Sequence, residues 1–191
     1  MSKWNKRYLI KLSPDKVINE SATTYRKYYS LPPSDRFVDE SSKADSGWTT
    51  LSSGSLSAIT LQDKLFIVAH GSPTHVAEYT ARSLADSLAG WGLDEVGLIT
   101  FKCCHVGRDT FLEDFVKYAG RVSGIKIGWV KGYRGEAQTW LGGPFKPIER
   151  IKNVNSGGFK SGESRFKVVA GLEKISIAGS RYELPADDDD D

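Results

Sequence analysis

A chain of 191 residues with a formal charge of +2 is long enough for one sizeable core, and its charge alone gives no case for nucleic-acid binding. With 39% hydrophobic and 26% charged residues it reads as a soluble globular sequence; no apolar run is long enough to span a bilayer, and none follows Met1 to Arg7 as a signal peptide requires. The two cysteines are adjacent, Cys103 and Cys104, which excludes a disulfide framework and leaves two thiols as the default.

In chain order, Tyr8 to Leu12 alternates as a strand does, and Ser13-Pro14-Asp15 predicts a helix start with Ser13 as the hydroxyl cap and proline in the first turn. That helix runs to about Tyr29, before Leu31-Pro32-Pro33. Residues 34–62 are rich in Ser, Asp and Gly, with short strands expected at Phe37-Val38 and from Trp48 to Leu51. Leu65 to His70 is a β-branched-rich strand ending on His-Gly, and Gly71-Ser72-Pro73 turns the chain. Ala77, Ala81, Leu84, Ala85 and Leu88 then recur at helical spacing, and Gly90-Trp91-Gly92 closes that helix. A second apolar strand, Val96 to Lys102, delivers Cys103-Cys104. Thr110 and Glu113 suggest a capping box for a helix burying Phe111, Phe115 and Val116, and Ile125 to Val130 is the next strand. This β-α-β-α-β order predicts an α/β fold with a mainly parallel sheet and helices on both faces. Residues 131–170, rich in glycine, aromatics and basic groups, read as a C-terminal β-flap in which Phe166 to Ala170 and Lys174 to Ile177 pair. Residues 1–184 form one domain, and 185–191 an acidic, disordered tail.

In such folds, chemistry gathers where strands end and a crevice opens. A histidine and a thiol on neighbouring strand ends are the minimum for a cysteine nucleophile and its proton partner. Gly71 offers a backbone N–H to an oxyanion with no side chain in the way. For either thiol alone a buried structural role is the commoner fate; the joint pattern of strand-His-Gly, helix, strand-Cys, helix favours catalysis. A zinc site on Cys103, Cys104, His105 and His70 is disfavoured by the adjacent ligand spacing, so no metal is expected. His105 reads as a local loop residue, and His75 as part of a solvated turn.

The blocks Phe66 to Gly71 and Leu98 to Cys104, followed by Cys104-His105-Val106-Gly107, resemble the clan CD, or caspase-like, cysteine peptidases. The layout is most similar to the inositol-hexakisphosphate-activated, self-processing protease domains of MARTX and large clostridial toxins and to related bacterial effectors. That resemblance implies a caspase-like three-layer sandwich and an endopeptidase with His70 and Cys104 as its dyad. It further implies a bacterial virulence protein delivered into the cytosol of a host or target cell. Cys104 is the preferred nucleophile because Cys103 is then the small residue before it. Cys103 is the runner-up, its predecessor Lys102 being bulkier than the pattern wants.

Between positions 126 and 167, Lys126, Lys131, Arg134, Lys146, Arg150, Lys152, Lys160, Arg165 and Lys167 stand against only Glu136, Glu149 and Glu163. Scattered lysines and arginines usually make a solvated face. The toxin resemblance implies inositol hexakisphosphate as an activator bound on these flap residues. Single-stranded nucleic acid is the less favoured partner, suggested by Trp129, Tyr133, Trp140 and Phe145 among the charges. From another functional class, the alternative is a catalytically silent polyanion-binding module on the same fold.

Overall fold

Seven strands form the central sheet in the order β11-β8-β7-β4-β1-β2-β3. A computed structural model describes residues 4–40, 47–142, 146–152 and 165–175, with side chains described outside 137–142 and 146–152. The strands are β1 (Arg7–Lys11), β2 (Arg36–Val38), β3 (Thr49–Thr50), β4 (Lys64–Val68), β7 (Glu95–Lys102), β8 (Lys126–Tyr133) and β11 (Phe166–Ala170). Every neighbouring pair is parallel except β11 with β8, so the architecture is α/β with an antiparallel edge.

Strand alternation divides the sheet into two different faces. On one, Tyr8, Leu65, Ile99 and Val130 lie in register, as do Ile10, Ile67 and Phe101; all belong to the large apolar core. Two helices cover that face, α2 (Ala81–Gly90), which buries Ala81, Leu84, Ala85 and Leu88, and α3 (Phe111–Arg121), which buries Phe111, Leu112, Phe115, Val116 and Ala119. On the other face, α1 (Lys16–Tyr28) lays Ile18, Ala22 and Tyr25 on Leu9, Phe66 and Val68. This places helices on both faces, as a three-layer α/β arrangement requires.

Local chemistry explains several departures from the sequence reading. Asp15, not Ser13, caps α1, accepting from the amides of Val17 and Ile18. Residues 72–80 are not helical: β5 (His75–Val76) and β6 (Tyr79–Thr80) make a small hairpin. Ala77 at its tip has φ +50°, which no α-helix accommodates, so α2 waits for Ala81 and is capped by Thr80. The capping box at α3 does not form. Thr110 Oγ1 donates instead to Asp114 Oδ2 at 2.8 Å, and Glu113 is drawn away by Lys167.

The flap is narrower than expected. β8 stays in the central sheet through Tyr133, and β11 returns to pair with it rather than with Lys174 and Ile175, which are not strand. Only β9 (Glu136–Gly142) and β10 (Lys146–Lys152) form a separate antiparallel hairpin, and it leans on α1. Lys160, Ile177 and the acidic tail lie outside the described residues.

Phe101 locks α3 to the sheet. It is fully buried and meets Phe111 and Phe115 edge-on, with centroids 5.7 and 5.2 Å away. Phe101→Ala is expected to lower the unfolding free energy in urea by about 3–5 kcal/mol. A loss below about 1 kcal/mol would contradict this packing.

Candidate active site

β4 and β7 lie side by side, with Val68 opposite Lys102 as their last paired residues. One step beyond, the chain leaves the sheet on both strands, as Ala69-His70-Gly71 and as Cys103-Cys104. These two exits touch. A Cβ placed on Gly71 would stand 2.5 Å from the Cys104 carbonyl oxygen, 2.7 Å from Cys103 Cβ and 3.0 Å from the Cys104 nitrogen. Backbone cannot yield to such an atom, so only glycine lets the histidine loop lie directly on the cysteine loop.

Within the cysteine pair, burial separates the two thiols. Cys103 points into the apolar core beside the Ile67 carbonyl, its Sγ 3.6 Å from that oxygen. Burial pushes its thiol far above the ordinary cysteine range, so it stays protonated and unreactive. Cys104 is half-buried in the turn after β7. The turn itself is held from β8: the His105 amide donates to the Gly135 carbonyl at 3.1 Å and the Gly107 amide to the Tyr133 carbonyl at 2.8 Å. Gly107 is required there too, because a Cβ would meet the Gly132 oxygen at 2.7 Å.

His70 has a partner that the sequence reading did not name. Its Nε2 lies 2.9 Å from Asp15 Oδ2, while Asp15 Oδ1 accepts the Val17 and Ile18 amides that begin α1. One carboxylate therefore caps a helix and orients a histidine. Burial pushes the Asp15 carboxyl up, but the Ile18 amide, the charge of His70 and the Val17 amide outweigh it, leaving the group below its ordinary value of 3.8. A carboxyl depressed on folding stabilises the folded chain above its unfolded value. That contribution is lost as pH falls below 3.8 through the lower folded value. The signal for Asp15 was present in the sequence, as an acidic residue at a helix start one strand away from the histidine strand, but its pairing depends on β1 and β4 being neighbours.

Beside these loops, a cleft of about 270 Å³ opens between Pro73 and Thr74 after the histidine, Arg82 on α2, and Thr110, Phe111 and Asp114 at the start of α3. His75 is exposed on the hairpin and its Nδ1 is paired with Thr74 Oγ1 at 2.9 Å. His105 sits at φ +60° with its Nδ1 buried. Among the described residues no group of three or more His, Cys, Asp and Glu is placed to hold a metal ion.

Of the nine basic residues singled out after position 126, Lys126, Lys131, Arg134, Arg165 and Lys167 have side chains among those described. Lys126 begins β8 opposite Glu95, roughly 23 Å along the strand from Tyr133. Lys167 turns to the other side, donating to the Asp109 carbonyl at 2.6 Å and pairing with Glu113 at 2.6 Å, so it braces the cysteine turn and α3. Lys131 packs its ammonium 3.8 Å from the Phe166 ring centroid. Arg134 and Arg165 meet through a backbone bond where β8 and β11 leave the sheet, Arg165 being exposed. Lys146, Arg150 and Lys152 belong to β10. Two further cations stand on the α1 face of the sheet. Arg7 and Lys64 are paired in register on β1 and β4, Arg7 over Tyr29 and Lys64 over Phe66; Phe66, Thr100 and Lys131 continue that face in register.

Asparagine can replace the helix-capping oxygen of Asp15 but not its charge. Asp15→Asn is expected to leave stability within about 0.5 kcal/mol of the parent while lowering Cys104 alkylation at pH 7 by about tenfold. Asp15→Ala should add the loss of the cap, about 1 kcal/mol in urea unfolding. Equal alkylation rates for Asp15→Asn and parent would show that the carboxylate does not serve His70.

No protein-family model matches this chain, and no curated protein does.

Proposed function

We propose that the chain is a cysteine endopeptidase of the caspase-like kind, with Cys104 as nucleophile, His70 as proton carrier and Asp15 orienting His70. The observation that carries this reading is the packing of Gly71 on the Cys103–Cys104 backbone, which joins an exposed, carboxylate-bound histidine to a half-buried cysteine at one sheet edge. Three groups on three neighbouring parallel strand ends are a costly arrangement for a structural role and a serviceable one for catalysis.

In the reaction, the Cys104 thiolate adds to the scissile carbonyl carbon. The oxygen takes the negative charge against the backbone N–H groups of Gly71 and Cys104. With Nε2 held by Asp15, His70 uses Nδ1 to protonate the departing amine as the C–N bond breaks. Water, giving a proton back to His70, then cleaves the thioester and restores the thiolate–imidazolium pair. Asp15 stabilises the imidazolium that both halves of the cycle need.

Inositol hexakisphosphate is the proposed activator. Its dense negative charge suits the α1 face, where Arg7 pairs with Lys64 and Lys131 stands in the register of Phe66 and Thr100, with the basic residues of β10 on the adjoining hairpin and Arg134 and Arg165 at its root. Lys126 and Lys167 are left out of this site by their positions. The resemblance to toxin domains supports a bacterial effector or toxin that acts on itself or on a protein substrate in a target cell's cytosol. The same row of cations, standing on the opposite face from the α2–α3 core, is what favours the second reading, a catalytically silent polyanion-binding module.

An acyloxymethyl-ketone peptide separates the two. Peptide mapping by mass spectrometry is expected to find one adduct, on Cys104, absent in His70→Ala and formed about tenfold faster with inositol hexakisphosphate. An adduct on Cys103 would contradict the assignment of the nucleophile. No selective adduct under either condition would contradict the peptidase reading and leave the binding module.

A further inference from the structure

Lys102 ends β7 two residues before Cys104, on the α1 face, and is only half-exposed. Its Nζ donates to the Tyr133 hydroxyl at 2.9 Å. Three rings surround the same ammonium: Tyr25 with its centroid at 4.9 Å, Tyr133 at 5.2 Å and Phe66 at 5.9 Å. The Tyr25 and Tyr133 hydroxyl oxygens are 3.5 Å apart, and both tyrosines are fully buried. A cation withdrawn from water in this way costs free energy unless its surroundings compensate, and an aromatic cage with one hydroxyl acceptor is such a compensation.

The three caging residues come from the elements that build the site. Tyr25 belongs to α1, whose first turn is capped by Asp15, the partner of His70. Phe66 lies on β4, which runs out to His70. Tyr133 closes β8, and its carbonyl, with that of Gly135, holds the turn carrying Cys104. The Lys102 ammonium is thus the one point where the support of the histidine, the support of its carboxylate and the support of the cysteine turn meet.

We infer that Lys102 is a positioning residue for the dyad. Its charge draws α1 and β8 together at the spacing where Asp15 reaches His70 while the cysteine turn lies on Gly71. This inference rests on the peptidase reading and deepens it. Lys102 touches no reacting atom; it acts through Tyr25 and Tyr133. Without its charge the two tyrosines repack, the carboxylate–imidazole contact loosens, and less of the thiolate–imidazolium pair is present at neutral pH.

The test is the pH dependence of Cys104 alkylation by iodoacetamide in the full chain, mapped by mass spectrometry with buried Cys103 as the internal reference and urea unfolding measured in parallel. Lys102→Met keeps length and apolar packing; it is expected to slow alkylation at pH 7 about tenfold, the factor of one lost charge-assisted hydrogen bond, and to move the profile to higher pH. Lys102→Arg, which keeps a cation over the rings, is expected to restore most of the rate. Tyr133→Phe removes only the accepting hydroxyl and is expected to shift the profile in the same direction by less. A parental pH profile in Lys102→Met, whatever its stability, would overturn the inference, as would an arginine variant as slow as the methionine one. If Lys102→Met does not fold, Tyr133→Phe decides, and an unshifted profile overturns the inference. A parent Cys104 that alkylates no faster than free cysteine would instead sink the peptidase reading itself, and the inference with it.

Discussion

The rest of the site depends on the close approach of the Gly71 backbone to the Cys103–Cys104 peptide. Two parallel strands leave the sheet at the same level, and their loops can lie against one another only because position 71 carries no side chain. That contact sets the height of the histidine relative to the cysteine. Everything else adjusts this arrangement: Asp15 turns the imidazole, Gly107 and the β8 carbonyls seat the cysteine turn, and Lys167 ties β11 to the loop after it. A single glycine thereby converts a pairing of strands into a constellation of chemical groups.

The sheet supplies a second constraint, an asymmetry between its faces. The α2–α3 side is apolar throughout the central strands and provides the stability. The α1 side carries Arg7, Lys11, Lys64, Lys102 and Lys131 at alternating positions, each packed on an aromatic ring. Lys11 is almost completely buried, with its Nζ on Asn19 at 2.6 Å and beside Trp48. Aromatic rings let cations stand on a sheet face that would otherwise reject them. The same face therefore combines positive charge with rigid aromatic packing.

Much of this was legible in the sequence, for physical reasons that differ by element. Leu65 to Ala69 and Val96 to Phe101 are buried on both sides, so they appear as continuous apolar runs and identify themselves. The helix between them was read too early, because Ala77 and Ala81 share helical spacing while the backbone at Ala77 is left-handed, a property that alanine does not advertise. Cys103 and Cys104 were ranked by the size of the preceding residue; that Cys103 is buried and Cys104 half-buried was not legible from two adjacent cysteines. Asp15 was read as a helix-start acid only, since its contact with His70 follows from β1 being inserted beside β4. The basic groups were sought where they are dense in sequence, after residue 126. Alternation along β1 and β4 carries a second signal, with Arg7 and Lys64 sharing the parity of Leu9 and Phe66.

The central claim is that His70, Asp15, Gly71 and Cys104 form one working site. A crystal structure of the chain reacted with the electrophilic peptide tests it most directly. The account predicts a thioether bond from Cys104 Sγ to the methylene carbon beside the peptide's ketone, the carboxylate having left, with His70 still hydrogen-bonded through Nε2 to Asp15 and the peptide backbone lying across the Gly71–Cys104 contact. Electron density for the peptide elsewhere, or a His70 swung away from both Asp15 and the adduct, would contradict it.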